Sequence, residues 1–142
     1  MSEKKKRKEV HIENRKARFD YEFLETYVAG MVLTGPEVKA IRAGHVSLAD
    51  AFCWFAQYEL WTNNLNITTE GASKHVKLLL TKKELKKLTK NLHDGLTIVI
   101  TKIFTQNSRL KVGIALARGK KNYDKRQAIK ERDIKRELLR NK

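Results

Sequence analysis

The chain has 142 residues, a formal net charge of +15 and a sequence pI of about 10.0. Its single cysteine, Cys53, excludes a disulfide framework and a cysteine-based metal site within one chain, which is typical of the reducing cytoplasm. No apolar run reaches transmembrane length, and no apolar segment follows the basic N-terminus as it would in a secretory signal. These features predict a cytoplasmic, monomeric protein of one domain with extensions and no membrane partner.

The positive charge is concentrated at the two ends of the chain. Residues 1–18 carry 8 basic and 3 acidic groups, residues 118–142 carry 11 and 4, and residues 19–117 carry 12 and 9. A nearly neutral body between two basic segments indicates a polyanionic partner such as RNA or DNA. We therefore predict a basic N-terminal arm over 1–18, a body over 19–117 and a basic tail over 118–142. The alternative is that the basic ends only improve solubility.

The C-terminal tail has too few apolar side chains to order itself. A polyanion would supply the missing counter-charge, so we expect the tail to be disordered when free and to fold when it binds. Tyr123 lies between two basic pairs, Lys120-Lys121 and Lys125-Arg126. This pattern favours a ring that stacks on a nucleobase while its neighbours hold phosphates, although a tyrosine that only touches the body is the simpler alternative.

The first part of the body is predicted to contain one strand and one short helix. Phe19, Tyr21 and Phe23 alternate with acidic residues, a period of two that indicates a strand extending to about residue 33. Residues 2–13, before it, are expected to form a mobile arm. Thr34 and Glu37 have the spacing of a capping box, so a helix is predicted over residues 36–43.

The second part of the body is predicted to alternate short strands with one more helix. Residues 51–56 and 58–65 have the pattern of strands, and a polar loop over 63–73 leads to an apolar segment over 75–80. A second capping box, Thr81 with Glu84, begins a helix that Gly95 ends, with lysines 82, 83, 86, 87 and 90 opposite its leucines. Residues 96–104 and 110–117 give the clearest hairpin. The predicted fold class is mainly β with short helices (α+β), a small antiparallel oligonucleotide-binding-like barrel.

Catalytic patterns are nearly absent from the sequence. The four histidines have no metal-ligand spacing, and neither a phosphate-binding glycine loop nor a nucleophile elbow is present. Glu37 and Lys39 have the spacing of a metal-dependent nuclease, which would need a second acid such as Asp20 or Asp50. Because the capping box already explains Glu37, we predict a protein that is not an enzyme, with no metal and no cofactor.

Several motifs in order resemble the SsrA-binding protein (small protein B) family, which partners transfer-messenger RNA in the rescue of stalled bacterial ribosomes. The resemblance implies an oligonucleotide-binding-type barrel that grips the tRNA-like domain of that RNA and is not itself an enzyme. It also implies a tail that becomes helical in the empty mRNA channel of the small subunit, near the decoding centre. The motifs are Asn14-Arg15-Lys16-Ala17, the run from Gly35 to Gly44, Lys77-Leu78-Leu79-Leu80, and the run from Gly119 to Arg126 with Ile129-Lys130-Glu131-Arg132.

The site residues divide between the body and the tail. Asn14, Glu37 and the segment from Lys77 match family positions tied to RNA binding, and nearby basic residues join them. In the body the predicted RNA-binding residues are Asn14, Arg15, Lys16, Arg18, Glu37, Lys39, Arg42, Lys74, Lys77, Leu78 and Leu79. In the tail the predicted ribosome-binding residues are Gly119, Lys120, Lys121, Tyr123, Asp124, Lys125, Arg126, Ile129, Lys130 and Arg132.

Two other functions compete with this interpretation. A ribosomal or ribosome-assembly protein would also combine a barrel with basic extensions, but it would bind ribosomal RNA permanently. The metal-dependent nuclease would cleave RNA in the presence of magnesium. The adaptor hypothesis further predicts that truncation after Ala117 leaves the body folded and still able to bind RNA, while ribosome rescue is lost.

Overall fold

The computed structural model describes residues 9–120 and, in addition, residue 132. Twelve elements occur in the range 9–120. In chain order they are β1 (His11–Glu13), α1 (Arg15–Asp20), β2 (Tyr21–Met31), α2 (Gly35–Arg42), β3 (Val46–Ser47), β4 (Phe52–Ala56), β5 (Glu59–Asn63), β6 (Asn66–Ile67), β7 (Lys77–Leu79), α3 (Lys82–Asn91), β8 (Leu96–Gln106) and β9 (Arg109–Gly119).

The main sheet closes on itself. Its strand order is β1-β8-β4-β5-β7-β2-β9, and β9 also pairs with β8, so six strands form a closed antiparallel ring with β1 added beside β8. Strands β3 and β6 form a separate two-stranded sheet. The predicted class, a mainly β protein with short helices and a small antiparallel barrel, is confirmed. Closure removes the free strand edges that a flat sheet of this size would expose.

The barrel interior is filled mainly by aliphatic side chains from β5, β7, β8 and β9. Leu60, Leu78, Ile98 and Ile114 are fully buried there. Helix α3 contributes its own fully buried leucine, Leu88, to the same cluster, and the leucines on either side of it pack against the cluster partly buried. Amphipathic α3 is therefore held by its leucine face, which leaves its lysines to face solvent.

Both faces of β9 are buried by other parts of the protein, although its alternating sequence resembles that of a strand with one exposed face. Val112, Ile114 and Leu116 point into the barrel, while Ala115 and Ala117 contact Ala17 of α1 and Val99 of β8 on the outer side. Small side chains on that outer face leave room for the helix to lie close to the strand. The alternation of large and small residues in β9 thus reflects two different packing partners rather than one buried and one exposed face.

The N-terminal prediction needs correction over its last residues. Strand β1 pairs with β8, joining Ile12 to Ile103, and residues 15–20 form helix α1, so residues 9–18 are part of the folded body rather than a mobile arm. The predicted strand over 19–33 begins at Tyr21 instead, and it ends at Met31. The first eight residues of the predicted arm lie outside the described residues.

The clearest predicted hairpin is present and longer than predicted. Strands β8 and β9 pair from Leu96↔Arg118 to Gln106↔Arg109, around a two-residue turn in which Asn107 and Ser108 both have positive φ. Because β9 continues to Gly119, the body extends past the predicted boundary at residue 117. In the described part of the chain, no helix is both long and apolar enough to cross a membrane.

Candidate nucleic-acid interface

Asn14 fixes helix α1 on the barrel. Its side-chain NH2 donates to the carbonyl oxygens of Leu48 at 2.7 Å and Ile100 at 2.8 Å, and its Oδ1 accepts from the backbone N–H of Ala17 at 3.1 Å. The amide group therefore caps α1 and ties it to two distant segments at once. Since Asn14 is buried, its side chain is not accessible to a partner, and it holds α1 in place.

The basic residues of α1 are the groups that Asn14 positions. Arg15, Lys16 and Arg18 are all exposed. Lys16 Nζ donates to Asp50 at 2.6 Å, which raises the pKa of Lys16, and Arg18 lies 3.7 Å from the Glu13 carboxylate. These surface ion pairs contribute little to stability, so both cations remain available to a phosphate.

Glu37 is buried, and its carboxylate is fully engaged. Oε1 accepts the backbone N–H of Thr34 at 2.9 Å and Oε2 accepts the backbone N–H of Ser73 at 3.0 Å. Burial alone would raise the pKa of Glu37, but these backbone hydrogen bonds outweigh it and lower the pKa. Glu37 therefore holds the loop that carries Lys74 against the start of α2.

This geometry does not support the nuclease hypothesis. The Glu37 carboxylate faces N–H donors rather than a site for a cation, and Asp50 is paired with Lys16. No group of three or more histidine, cysteine or acidic side chains among the described residues could hold a metal ion. The arrangement around Glu37 and Lys39 is that of a helix cap followed by an exposed lysine.

Of the predicted RNA-binding residues in β7, one is buried in the core and the others reach the surface. Leu78 is fully buried in the barrel, whereas Leu79 is 51% exposed. Lys77 is half-buried and lies 3.6 Å from the Glu59 carboxylate, and Lys74, in the preceding loop, is exposed. Leu79, Lys77 and Lys74 can thus contact a partner, while Leu78 only anchors the strand.

One shallow groove brings predicted residues together with basic residues that the sequence interpretation missed. It has a volume of about 290 Å3 and contains Arg42 and Leu79. Arg109 and Lys111, at the start of β9, line the same groove. Arg42 reaches this hairpin directly, because its guanidinium donates to the Ser108 carbonyl at 3.2 Å.

The sequence does not predict Arg109 and Lys111 as site residues. Their charges lie near Arg42 only because the β8–β9 turn packs beside α2 in the folded protein. The only sequence signal for them is two basic residues that flank a turn. Three cations around an apolar floor form a surface suited to nucleic-acid phosphates and ribose. Lys39, also on α2, is exposed but does not line this groove.

The tail begins where β9 ends. Gly119 still pairs with Tyr21, the backbone N–H of Lys120 donates to the Asp20 carbonyl at 2.8 Å, and Lys120 Nζ donates to the Arg18 carbonyl at 3.2 Å. Arg132 has helical backbone and an exposed side chain. The other tail residues predicted to bind the ribosome lie outside the described residues, namely Lys121, Tyr123, Asp124, Lys125, Arg126, Ile129 and Lys130.

Comparison with known proteins bears on all of these features. A family model described as SmpB protein matches residues 11–142. The chain is similar to the SsrA-binding protein of Phocaeicola vulgatus, with 47% identity over 139 residues that cover 91% of this chain and 93% of the relative. It is also similar to that of Parabacteroides distasonis, with 48% identity over 139 residues that cover 91% of each chain.

A solved structure gives the same result. A chain described under "tmRNA-SmpB: a journey to the center of the bacterial ribosome" has 42% sequence identity and a TM-score of 0.65, covering 84% of this chain and 94% of that chain. The family model, the curated relatives and the solved structure therefore agree with the motifs seen in the sequence. The chain belongs to the SmpB family of SsrA-binding proteins.

Proposed function

We propose that this protein is an RNA-binding adaptor that binds the tRNA-like domain of transfer-messenger RNA and brings it to stalled ribosomes for trans-translation. The observation that carries the proposal is the family match, which extends over residues 11–142 and so includes both the barrel and the tail. No catalytic step is assigned to the protein itself. Its place of action is where bacterial ribosomes work, in the cytoplasm.

The body supplies the contacts with the tRNA-like domain in this proposal. The groove of Arg42, Leu79, Arg109 and Lys111 offers cations beside an apolar floor, and the exposed lysine of the 68–76 loop, Lys74, extends the basic surface. Asn14 and Glu37 act through the segments that they hold. A variant of either residue should therefore weaken RNA binding and fold stability together.

A binding titration tests this proposal. The tRNA-like domain of transfer-messenger RNA is compared with an ordinary tRNA of similar length at one fixed salt concentration, because charge alone binds any RNA. A strong preference for the tRNA-like domain is expected. Equal binding of both RNAs would instead favour the second hypothesis, a ribosomal or ribosome-assembly protein that binds ribosomal RNA through basic extensions.

Two matched variants locate the contact surface in the same titration. Arg109→Gln removes one cation from the groove, while Lys83→Gln removes one exposed cation of α3 that does not line it. Arg109→Gln should lower the affinity and reduce the slope of log K against log salt by about 0.7 to 0.9, the value for one phosphate contact. Equal effects of the two variants would contradict the assignment of this groove.

The tail is proposed to sense the empty mRNA channel of the small subunit. Because Gly119 and Lys120 are bonded to Tyr21 and Asp20, a truncation that preserves the body should follow Lys120 rather than Ala117. The shortened protein should bind the tRNA-like domain with nearly normal affinity but fail to support peptide tagging on stalled ribosomes. Normal tagging by the shortened protein would refute the role of the tail.

A further inference from the structure

A second groove lies between the β4–β5 turn and helix α3. It has a volume of about 750 Å3, more than twice that of the groove at Arg42. Phe55 and Leu85, both partly buried, lie at its base, and the polar Thr89 follows Leu85 one turn along the helix. This groove shares no lining residue with the groove at Arg42, and it adjoins Lys77 through Glu59.

The rim of this groove is a row of lysines. Lys82, Lys86 and Lys90 line it, and their i, i+4, i+8 spacing on α3 places their Cα atoms about 6 Å apart along the helix axis. No salt bridge involves any of the three within the described residues. The one acidic residue of the groove, Glu59, lies 3.6 Å from Lys77 on the neighbouring strand.

The mouth of the groove carries an aromatic ring that folding does not explain. Tyr58 is 97% exposed and occupies the turn between β4 and β5 with φ of 65°, directly after Gln57 with φ of 53°. Two-residue turns with positive φ at both positions strongly favour Asn and Gly, which adopt this conformation at lower cost. The tyrosine therefore costs backbone energy at this position while its ring stays in solvent, where it is accessible to a partner.

We propose that this groove binds an unpaired stretch of RNA, with the Tyr58 ring stacked on one base and Lys82, Lys86 and Lys90 facing successive phosphates. The row of lysines matches a polyanion with regularly spaced charges, and an exposed ring beside such a row is the usual platform for a single strand. The inference rests on the proposed function only in taking RNA as the partner. It assigns a contact site that is independent of the groove at Arg42.

The test uses the full chain and a short single-stranded RNA of about eight nucleotides that carries one 2-aminopurine. Stacking on Tyr58 should quench the fluorescence of this base. Tyr58→Phe should keep the quenching, whereas Tyr58→Asn should abolish it and weaken binding by about fivefold to a hundredfold, the range for loss of one stacked base. Because Asn suits the turn, Tyr58→Asn should melt at the same temperature as wild type or higher, which separates lost binding from lost folding.

The lysine row is tested with a matched pair on the same helix. Lys86→Gln should reduce the slope of log K against log salt by about 0.7, the value for one single-strand phosphate contact, and Lys83→Gln should leave it unchanged. Equal slopes for the two variants, or unchanged quenching in Tyr58→Asn, would overturn the proposal. A third result would also overturn the proposal. If a short acidic peptide binds wild type but not Lys86→Gln, while neither Lys86→Gln nor Tyr58→Asn changes RNA binding, the groove binds a protein segment instead.

Binding of the tRNA-like domain is measured on the same variants, so that the two proposals fail separately. If the tRNA-like domain binds no better than ordinary tRNA while the single strand still depends on Tyr58 and Lys86, the adaptor function is wrong and the groove assignment stands. If the tRNA-like domain is preferred and binding of the single strand does not depend on Tyr58 or Lys86, the adaptor function stands and the groove assignment is wrong.

Discussion

Helices α2 and α3 begin with the same local motif, but one copy also binds a distant loop and the other caps only its own helix. Thr34 with Glu37 and Thr81 with Glu84 each form a capping box in which both reciprocal bonds are present. Among the residues that the structure describes, the Glu84 carboxylate bonds only to Thr81, one turn away. Glu37 also accepts the backbone N–H of Ser73, 36 residues further along the chain. A capping box can therefore be purely local or can join distant segments, and the buried Glu37 with its bond to Ser73 is of the second kind.

The largest expected effect comes from removing the joint. Glu37→Ala removes one cap bond and leaves the backbone N–H of Ser73 without its acceptor, so we expect the free energy of unfolding to fall by about 2 to 4 kcal/mol. Denaturant unfolding checks this value. A loss no greater than that in Glu84→Ala would show that the bond to Ser73 adds nothing, and the comparison between the two caps would fail.

The pH dependence of Glu37→Gln sharpens the same comparison. The lowered folded-state pKa of Glu37 means that its stabilisation is complete above the unfolded pKa, about 4.3, and is lost as the pH falls through the folded pKa. The gap in unfolding free energy between wild type and Glu37→Gln should therefore be constant above the unfolded pKa and shrink as the pH falls below it. Other carboxyl groups titrate in both proteins and cancel. A gap that stays constant with pH would contradict the assigned charge state.

A smaller effect is expected at the local cap. Glu84→Ala removes only the bonds to Thr81 at the exposed start of α3, so the expected loss is about 0.5 to 1 kcal/mol. RNA affinity should not change, since Glu84 is not part of either basic groove. Thermal melting and the RNA titration are run on the same sample. A loss of RNA affinity at unchanged stability would show that Glu84 has a role beyond capping.

The smallest effect is expected at the Ser73 side chain. Its hydroxyl lies 3.5 Å from Glu37 Oε1, at the limit of a hydrogen bond, whereas the strong contact is made by its backbone N–H. Ser73→Ala keeps that N–H and should change the free energy of unfolding by no more than about 0.5 kcal/mol. A loss as large as that of Glu37→Ala would mean that the hydroxyl, rather than the backbone, holds the loop.

The features that sequence predicted well are the local ones. Both capping boxes and the β8–β9 hairpin depend on residues a few positions apart, and all three are present. Strand β1 and helix α1 were missed because their partners are distant. The cap bond of Asn14 to the backbone N–H of Ala17 is local, but its bonds to Leu48 and Ile100, 34 and 86 residues away, appear only in the folded structure.

The site residues were predicted only in part, because their positions also depend on contacts between distant segments. Family motifs selected Asn14, Glu37 and Leu78 without indicating that all three are buried, because a motif records which residues matter and not how each acts. Arg109 and Lys111 belong to no motif that the sequence offered, and they join Arg42 only through the docking of the hairpin turn on α2. The lysines of α3 are predicted only as a solvated face, and no sequence pattern distinguishes the exposed Tyr58 beside them.

Strand β9 sets the order in which the protein can be assembled. It pairs with β2 across some ninety residues, joining Glu25 to Leu116, and it also pairs with β8, so the ring stays open until residues 109–119 are available. Pairings this far apart in sequence fold slowly, on the scale of milliseconds to seconds. During synthesis the apolar interior must therefore wait for β9, and stopped-flow refolding of a chain cut before Arg109 should show no cooperative folding phase.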